Sequence, residues 1–202
     1  MKKKYNKLIY FIVGEPSGDL HASNLLLQLK KLDGSLSFRG LGGPLMKSQG
    51  FVPIEDFKKL SVMGFSEVLR ELPFFIRLKK KIVNDIEKHS PKTLVLVDYP
   101  GFNLKIAKEI KNKTKNINIV YYISPQIWAW KERRINIIRK YVNSLVVIFP
   151  FEVDWYKNKG VNVQYFGHPL IDLYQSQNSE VDFKKNKIVG IFPGSRSQEI
   201  SK

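Results

Sequence analysis

The sequence predicts an α/β fold in which a parallel sheet is flanked by helices. Three observations carry that expectation. Short apolar runs of strand length alternate along the chain with stretches of helical periodicity, the layout of repeated βαβ units. The strand-like runs give way to glycine, proline or aspartate, as strands do where they enter loops. The 202 residues are 43% hydrophobic, enough to bury a sizeable core, and show no internal repeat or low-complexity tract.

Each element can be justified in order. LIYFIV (8–13) reads as a first buried strand. The basic start MKKKYNK and six apolar residues have the outline of a signal peptide, but the run meets Gly-Glu-Pro with no small-residue cleavage pattern. Residues 20–32, LHASNLLLQLKKL, place leucines at helical spacing. SFRGLGG (37–43) is strand-like and ends in a glycine turn, and PLMKSQG (44–50) is a short helix between Pro44 and Gly50. Residues 61–89 are expected to form two helical pieces separated at Pro73. Strands at 94–98, 117–123, 144–149 and 161–166 then alternate with helices at 103–113, 131–141 and 151–158.

Residues 173–187 are polar and aperiodic, as a linker is, and KIVGIFPGSRSQE (187–199) opens a new strand, loop and helix start. A βα unit that stops at its first turn cannot close a domain. The expected organisation is therefore a first domain at 1–172, a linker at 173–187, and the truncated start of a second domain at 188–202.

The charge balance is strongly positive, +16 from 34 Lys+Arg against 18 Asp+Glu. Such an excess favours anionic partners: phosphorylated substrates, an acidic membrane surface or nucleic acid. No cysteine is present, so disulfides and thiolate metal sites are excluded. No window reaches the ~18 apolar residues of a membrane-spanning helix.

Several loops at predicted strand ends could carry chemistry. In GEPSGD (14–19), Gly14 and Gly18 allow close backbone approach, and the helix that follows offers unpaired N–H groups to an anion or a sugar hydroxyl. Ser17 or Asp19 could equally do no more than cap that helix. GLGGP (40–44) is a second glycine turn. In DYPGFN (98–103), Asp98 ends a greasy strand and is either a turn former before Pro100 or a carboxylate desolvated enough to act as a general base. Asn103 suits a helix N-cap. In YYISPQIWAWKERR (121–134), Trp128 and Trp130 could stack on a sugar, line an acyl groove, or simply pack between elements. His168 in FGHP lacks a partner at metal-ligand spacing, so no metal is expected there. Gly194, Ser195 and Arg196 suit a phosphate or pyrophosphate.

Taken in order, GEPSGD, GLGGPLMKSQG, LSVMGFSEVL, DYPGFN, YYISPQIWAWKERR, FPFE, FGHP and PGSR resemble the lipid-A-disaccharide synthases, a glycosyltransferase family (family 19) of GT-B architecture. The resemblance runs from about residue 8 to the end of the chain. It implies that the first domain is the Rossmann-like, acceptor-side half of such an enzyme. The implied reaction joins UDP-2,3-diacylglucosamine to 2,3-diacylglucosamine 1-phosphate with inversion and releases UDP, in lipid A biosynthesis. It implies no metal and no cofactor, and a place on the cytoplasmic face of the Gram-negative inner membrane.

On the same resemblance Asp98 is the base. Gly14, Glu15, Ser17, Gly18, Asp19 and Arg196 align with the family's substrate-binding loops, and Asn103, Trp128, His168, Gly194 and Ser195 are further candidates, from their own positions, for contact with substrate. The apolar residues Val62, Met63, Phe65, Val68, Leu69, Leu72, Phe74, Phe75 and Ile76, followed by Arg77, Lys79, Lys80 and Lys81, would then dip into an anionic membrane interface. An ordinary buried helical pair fits the same periodicity.

Two departures stand out. The family commonly has a second aspartate where this chain has Gly101, and its members are nearly twice as long, so the chain is not expected to turn over without a C-terminal domain. A homo-oligomer is compatible with the resemblance. The rival expectations are another GT-B-like enzyme, such as a UDP-N-acetylglucosamine 2-epimerase, or a basic nucleic-acid-binding fragment, for which no recognised motif is present.

Overall fold

The computed structural model of the chain describes residues 7–55, 72–114, 116–175 and 189. Its described strands form one sheet of seven, all parallel: β1 (Leu8–Val13), β2 (Ser37–Leu41), β3 (Val52–Pro53), β4 (Thr93–Val97), β5 (Asn118–Tyr122), β6 (Ser144–Val147) and β7 (Val163–Tyr165). The order across the sheet is β3-β2-β1-β4-β5-β6-β7. The chain thus steps outward from β1 to β3, returns beside β1 as β4, and steps outward the other way. A doubly wound sheet of this kind has its switch point between β1 and β4, and ligands bind beyond the strands' carboxyl ends there.

Both faces of the sheet are covered, which is why its central strands are continuously apolar. Side chains alternate between the faces. Tyr10 and Ile12 of β1 join a core with Phe75, Leu78, Ile82 and Ile86 of α3 (Leu72–His89) and with Ile106 and Ile110 of α4 (Pro100–Lys113). Their neighbours Phe11 and Val13 point the other way, into a core with Ala22 and Leu26 of α1 (Pro16–Leu32) and Met46 of α2 (Pro44–Ser48). Each such fully buried aliphatic side chain contributes about 1.5–3 kcal/mol.

An ionic clasp ties α3 to the sheet. Asp85 takes both the Nε and an Nη of Arg39 at 2.8 Å and the Tyr10 hydroxyl at 3.0 Å. Burial opposes ionisation of Asp85, but these donors outweigh it and hold the carboxyl below its ordinary value.

Proline starts most of the helices. Five of the seven described helices carry it in their first two positions: Pro16, Pro44, Pro100, Pro150 in α6 (Pro150–Lys157) and Pro169 in α7 (Pro169–Gln175). There its fixed φ is already helical and its missing N–H would have had no partner. Pro73 is the second described residue of α3, and residues 56–71, where the other expected helical piece falls, lie outside the described residues.

Other boundaries move for related reasons. The helix expected from 103 begins at Pro100, and the one expected from 131 is a 3₁₀ turn (Glu132–Arg134) leading into α5 (Ile135–Tyr141). The two-residue β3 and helix α7 were not anticipated, and the expected domain boundary after residue 172 falls inside α7. The expected linker from 176 and the start of a second domain lie outside the described residues, Val189 excepted.

Candidate functional site

Because all seven strands are parallel, the loops after β1, β4, β5, β6 and β7 open on one edge. At its centre, the turns after β1 and β4 meet across the switch point. A Cβ on Gly14 would fall 2.5 Å from Cδ1 of Tyr99, so only glycine lets the two turns approach this closely. The Tyr99 hydroxyl is pushed up to about 12, by burial first and then by the charge of Glu15. Glu15 directly follows Gly14 in that first turn.

Asp98 follows the last residue of β4 and is half-buried. Asp98 and Tyr99 are both left-handed, with φ of 42° and 49°, and so are Ile123 (62°) after β5 and Lys131 (60°). Each non-glycine residue held in that region costs about 1–3 kcal/mol, and such strain collects where a surrounding structure enforces it for function. Four of the five such residues described stand on the edge where the crevice opens, with Ser90 the exception. At Asp98 the enforcement is visible: its carbonyl accepts from the Tyr121 hydroxyl at 2.6 Å and from Asn103 Nδ2 at 2.7 Å.

Asn103 does not cap α4. Pro100 starts that helix and Tyr99 occupies the cap, which leaves Asn103 a turn inside, 0% exposed, with its amide also reaching the Val97 carbonyl at 3.1 Å. So buried a side chain has no surface to offer a substrate in this structure.

Asp19 also differs from expectation. Helix α1 has no side-chain cap, so neither Ser17 nor Asp19 serves it. Asp19, 2% exposed, instead receives the backbone N–H groups of Gly43 (2.9 Å), Leu45 (3.0 Å) and Met46 (3.1 Å). It binds the GEPSGD loop to the GLGGP turn and neutralises the start of α2. Gly43 must be glycine, since its Cβ would lie 2.4 Å from an Asp19 oxygen. Gly18 is buried in α1, and Ser17, close to Glu15 in the chain, is half-buried.

The far side of the crevice is an aromatic wall. Trp128 donates its Nε1–H to Glu152 at 2.9 Å and meets Phe151 edge-on at 4.9 Å. Glu152 is fully buried, and its other oxygen takes the N–H groups of Ile148 (3.1 Å) and Phe149 (3.0 Å). Phe149 stacks on Phe151 and contacts the His168 ring at 5.7 Å. His168 accepts from the Leu170 N–H at 3.2 Å. Its charge, after burial, lowers the pKa of His21 on α1. The structure therefore brings Gly14, Glu15, Asp98, Trp128 and His168 to one edge. Beside this edge a cleft of about 650 Å³ runs between α1 and α7, over Tyr122.

Sequence reasoning missed Tyr99, Tyr121 and Glu152. The available signal for Glu152 was its place at N3 after Phe149-Pro150, a position from which an acid reaches back to the cap. For Tyr121 it was a polar tip on the face of β5 that alternation shares with the buried Ile119. Gly194, Ser195 and Arg196 lie outside the described residues, as do Val62, Met63, Phe65, Val68 and Leu69.

At the start of α3 the expected membrane-facing residues divide by helical phase. Phe75 is buried against Tyr99 and Phe102 and belongs to the core. Leu72 and Ile76, one turn apart, are 53% and 56% exposed. Arg77, Lys80 and Lys81 are exposed too, while Lys81 pairs with Glu55 and Lys79 with Glu109.

A doubly wound parallel sheet with a strained aspartate at its switch point, and aromatic side chains on the same strand-end edge, marks a candidate ligand site. Comparison with known proteins makes this particular. A family model described as lipid-A-disaccharide synthetase matches residues 9–202. The lipid-A-disaccharide synthase of Nitrosococcus oceani is 40% identical over 202 residues, covering 96% of this chain and 52% of its own length. That of Geobacter metallireducens is 38% identical over 204 residues (98% and 53%), and lipid-A-disaccharide synthase 1 of Legionella pneumophila strain Lens is 39% identical over 205 (96% and 52%). The chain belongs to the lipid-A-disaccharide synthetase family and spans about half the length of the curated relatives it matches. Among the described residues no helix is long and apolar enough to cross a membrane, and no group of three or more His, Cys, Asp or Glu could hold a metal.

Proposed function

We propose that this chain forms the acceptor-side half of an inverting glycosyltransferase that joins UDP-2,3-diacylglucosamine to 2,3-diacylglucosamine 1-phosphate, with Asp98 as general base. The observation that carries the reading is the position of Asp98: a half-buried carboxylate at the switch point, in a strained turn facing the Gly14 loop. The base takes the proton of the acceptor's 6-hydroxyl as that oxygen attacks the anomeric carbon, opposite the departing diphosphate. A diphosphate leaves readily, so no partner acid is needed, unlike the two carboxylates of a glycosidase. Charge developing on it would be met by Arg196 and by helix N-termini.

The aromatic wall of Trp128, Phe149 and Phe151 gives an apolar surface on which a sugar face or acyl chain can rest. Leu72 and Ile76 with the neighbouring Arg77 and Lys80 suit contact with an anionic bilayer surface, on the cytoplasmic side of the inner membrane. The C-terminal half of the relatives' length would complete the nucleotide-sugar site. Gly194, Ser195 and Arg196 belong to that side in this proposal.

The test is Asp98→Asn in the full-length gene product, assayed by disaccharide formation from the two acylated substrates. Turnover should fall by about 10²–10⁴-fold with folding intact. Near-normal turnover would sink the assignment. The membrane reading is checked separately: Leu72→Ser with Ile76→Ser should release the protein from vesicles containing anionic lipid.

A further inference from the structure

We propose that Asn103 and Tyr121 are positioning residues for Asp98, holding the base in its left-handed backbone conformation through two hydrogen bonds on its carbonyl. This rests on the reading of Asp98 as the base.

The geometry converges on one oxygen. The Tyr121 hydroxyl reaches the Asp98 carbonyl at 2.6 Å from the neighbouring strand, where Tyr121 stands opposite Leu96 in register. Asn103 reaches the same oxygen at 2.7 Å from inside α4. The amide orientation follows from its surroundings. The carbonyls of Asp98, Val97 (3.1 Å) and Ile12 (3.5 Å) all face one atom of the amide, and three acceptors require it to be the NH₂ group. Burial, and then the charge of Asp98, hold the Tyr121 phenol well above its ordinary range, so its hydroxyl stays a donor.

Both donors sit on rigid, fully buried supports. The Tyr121 ring belongs to the main core, and Asn103 is fixed by the packing of α4 around it, with Phe102, Leu104 and Ile106 all buried. A carbonyl fastened from two directions fixes the peptide between Asp98 and Tyr99. At Asp98 φ is 42°, and that value aims the Cα–Cβ bond of Asp98. Removing the two donors takes away both of these anchors on the strained peptide, and the backbone would relax toward negative φ. The carboxylate would then swing away from the hydroxyl it deprotonates. Neither side chain touches substrate; each acts through the backbone of Asp98. The buried Asn103 Oδ1, which has no hydrogen-bond partner among the described residues, is consistent with an amide placed for what its nitrogen holds.

The experiment is a kinetic double-mutant cycle in the full-length gene product. Tyr121→Phe removes one oxygen and preserves the ring. It should lower kcat by about 10- to 100-fold with KM changed less than about twofold, the signature of a misaimed group rather than lost binding. Asn103→Ser should do the same where it folds; Tyr121→Phe carries the test if it does not. In an Asp98→Asn background, Tyr121→Phe should add nothing, because there is no base left to aim. The proposal is overturned if Tyr121→Phe leaves kcat unchanged, raises KM alone, or lowers turnover equally in both backgrounds. Failure of the base assignment looks different: Asp98→Asn itself retains turnover.

Discussion

Replacing Asp19 with alanine removes the acceptor of three backbone N–H groups at once. Two of these, from Gly43 and Met46, end on Oδ1 in a buried setting; the third, from Leu45, ends on Oδ2 where the turn is partly exposed. Hydrogen bonds to a charged group contribute about 1.5–3 kcal/mol each, and the partly exposed one less. The expected loss is therefore about 4 kcal/mol, a large share of the total for a domain of this size. Asp19→Asn should lose only about 1–2 kcal/mol, because an amide oxygen can keep the Gly43 and Met46 bonds while its NH₂ group opposes only the Leu45 N–H. Urea denaturation at neutral pH measures both. An alanine variant within about 1 kcal/mol of wild type would refute the structural assignment. So would an asparagine variant that matches wild type in stability but shows a raised KM, since that outcome belongs to a substrate-binding carboxylate.

Further predictions concern the two turns, the buried acid and the clasp. Gly14→Ala drives a methyl into the Tyr99 ring. It should cost about 1–3 kcal/mol in thermal denaturation and at least tenfold in turnover, and unchanged values in both would mean the turns do not meet. Glu152→Leu strands two backbone N–H groups and the Trp128 indole. A loss of about 2–4 kcal/mol with a red-shifted tryptophan emission is expected, and an unshifted spectrum with full stability counts against it. The carboxyl of Asp85 lies below its ordinary value when folded, so the unfolded chain binds more protons at acid pH. Its contribution is complete above its unfolded value of about 3.9 and disappears as pH falls through the lower folded value. Arg39→Gln should flatten that acid slope in urea titrations from pH 5 downward, and an identical slope would exclude the clasp as its source.

What could be read from the sequence was whatever depends on local pattern. The alternation of apolar runs with helical spacing placed β1, β2, β4, β5, β6 and their helices, because burial on both sheet faces demands unbroken apolar strands and one-sided helices. The loops GEPSGD, DYPGFN and FGHP stood out for the same reason, each following a strand, and their order carried the family. Local pattern could not rank the residues within them. Asp19 and Asp98 look alike in the chain, each an acid in a loop that contains glycine and proline. Only the tertiary structure separates them, since the Asp19 carboxylate takes its partners from residues 43–46, whereas the Asp98 backbone carbonyl is held by residues 103 and 121. Phe75 and Ile76 were likewise indistinguishable until α3 packed, one toward Tyr99 and one outward.

The sequence by itself therefore determined a parallel α/β domain, its strand-end loops and the family to which their order belongs. The tertiary structure alone decided which acid is spent on the scaffold and which is held, under strain, at the mouth of the crevice. The physical reason is that hydrogen-bond partners brought in by the fold, on the side chain of one acid and on the backbone of the other, set what each acidic residue is able to do.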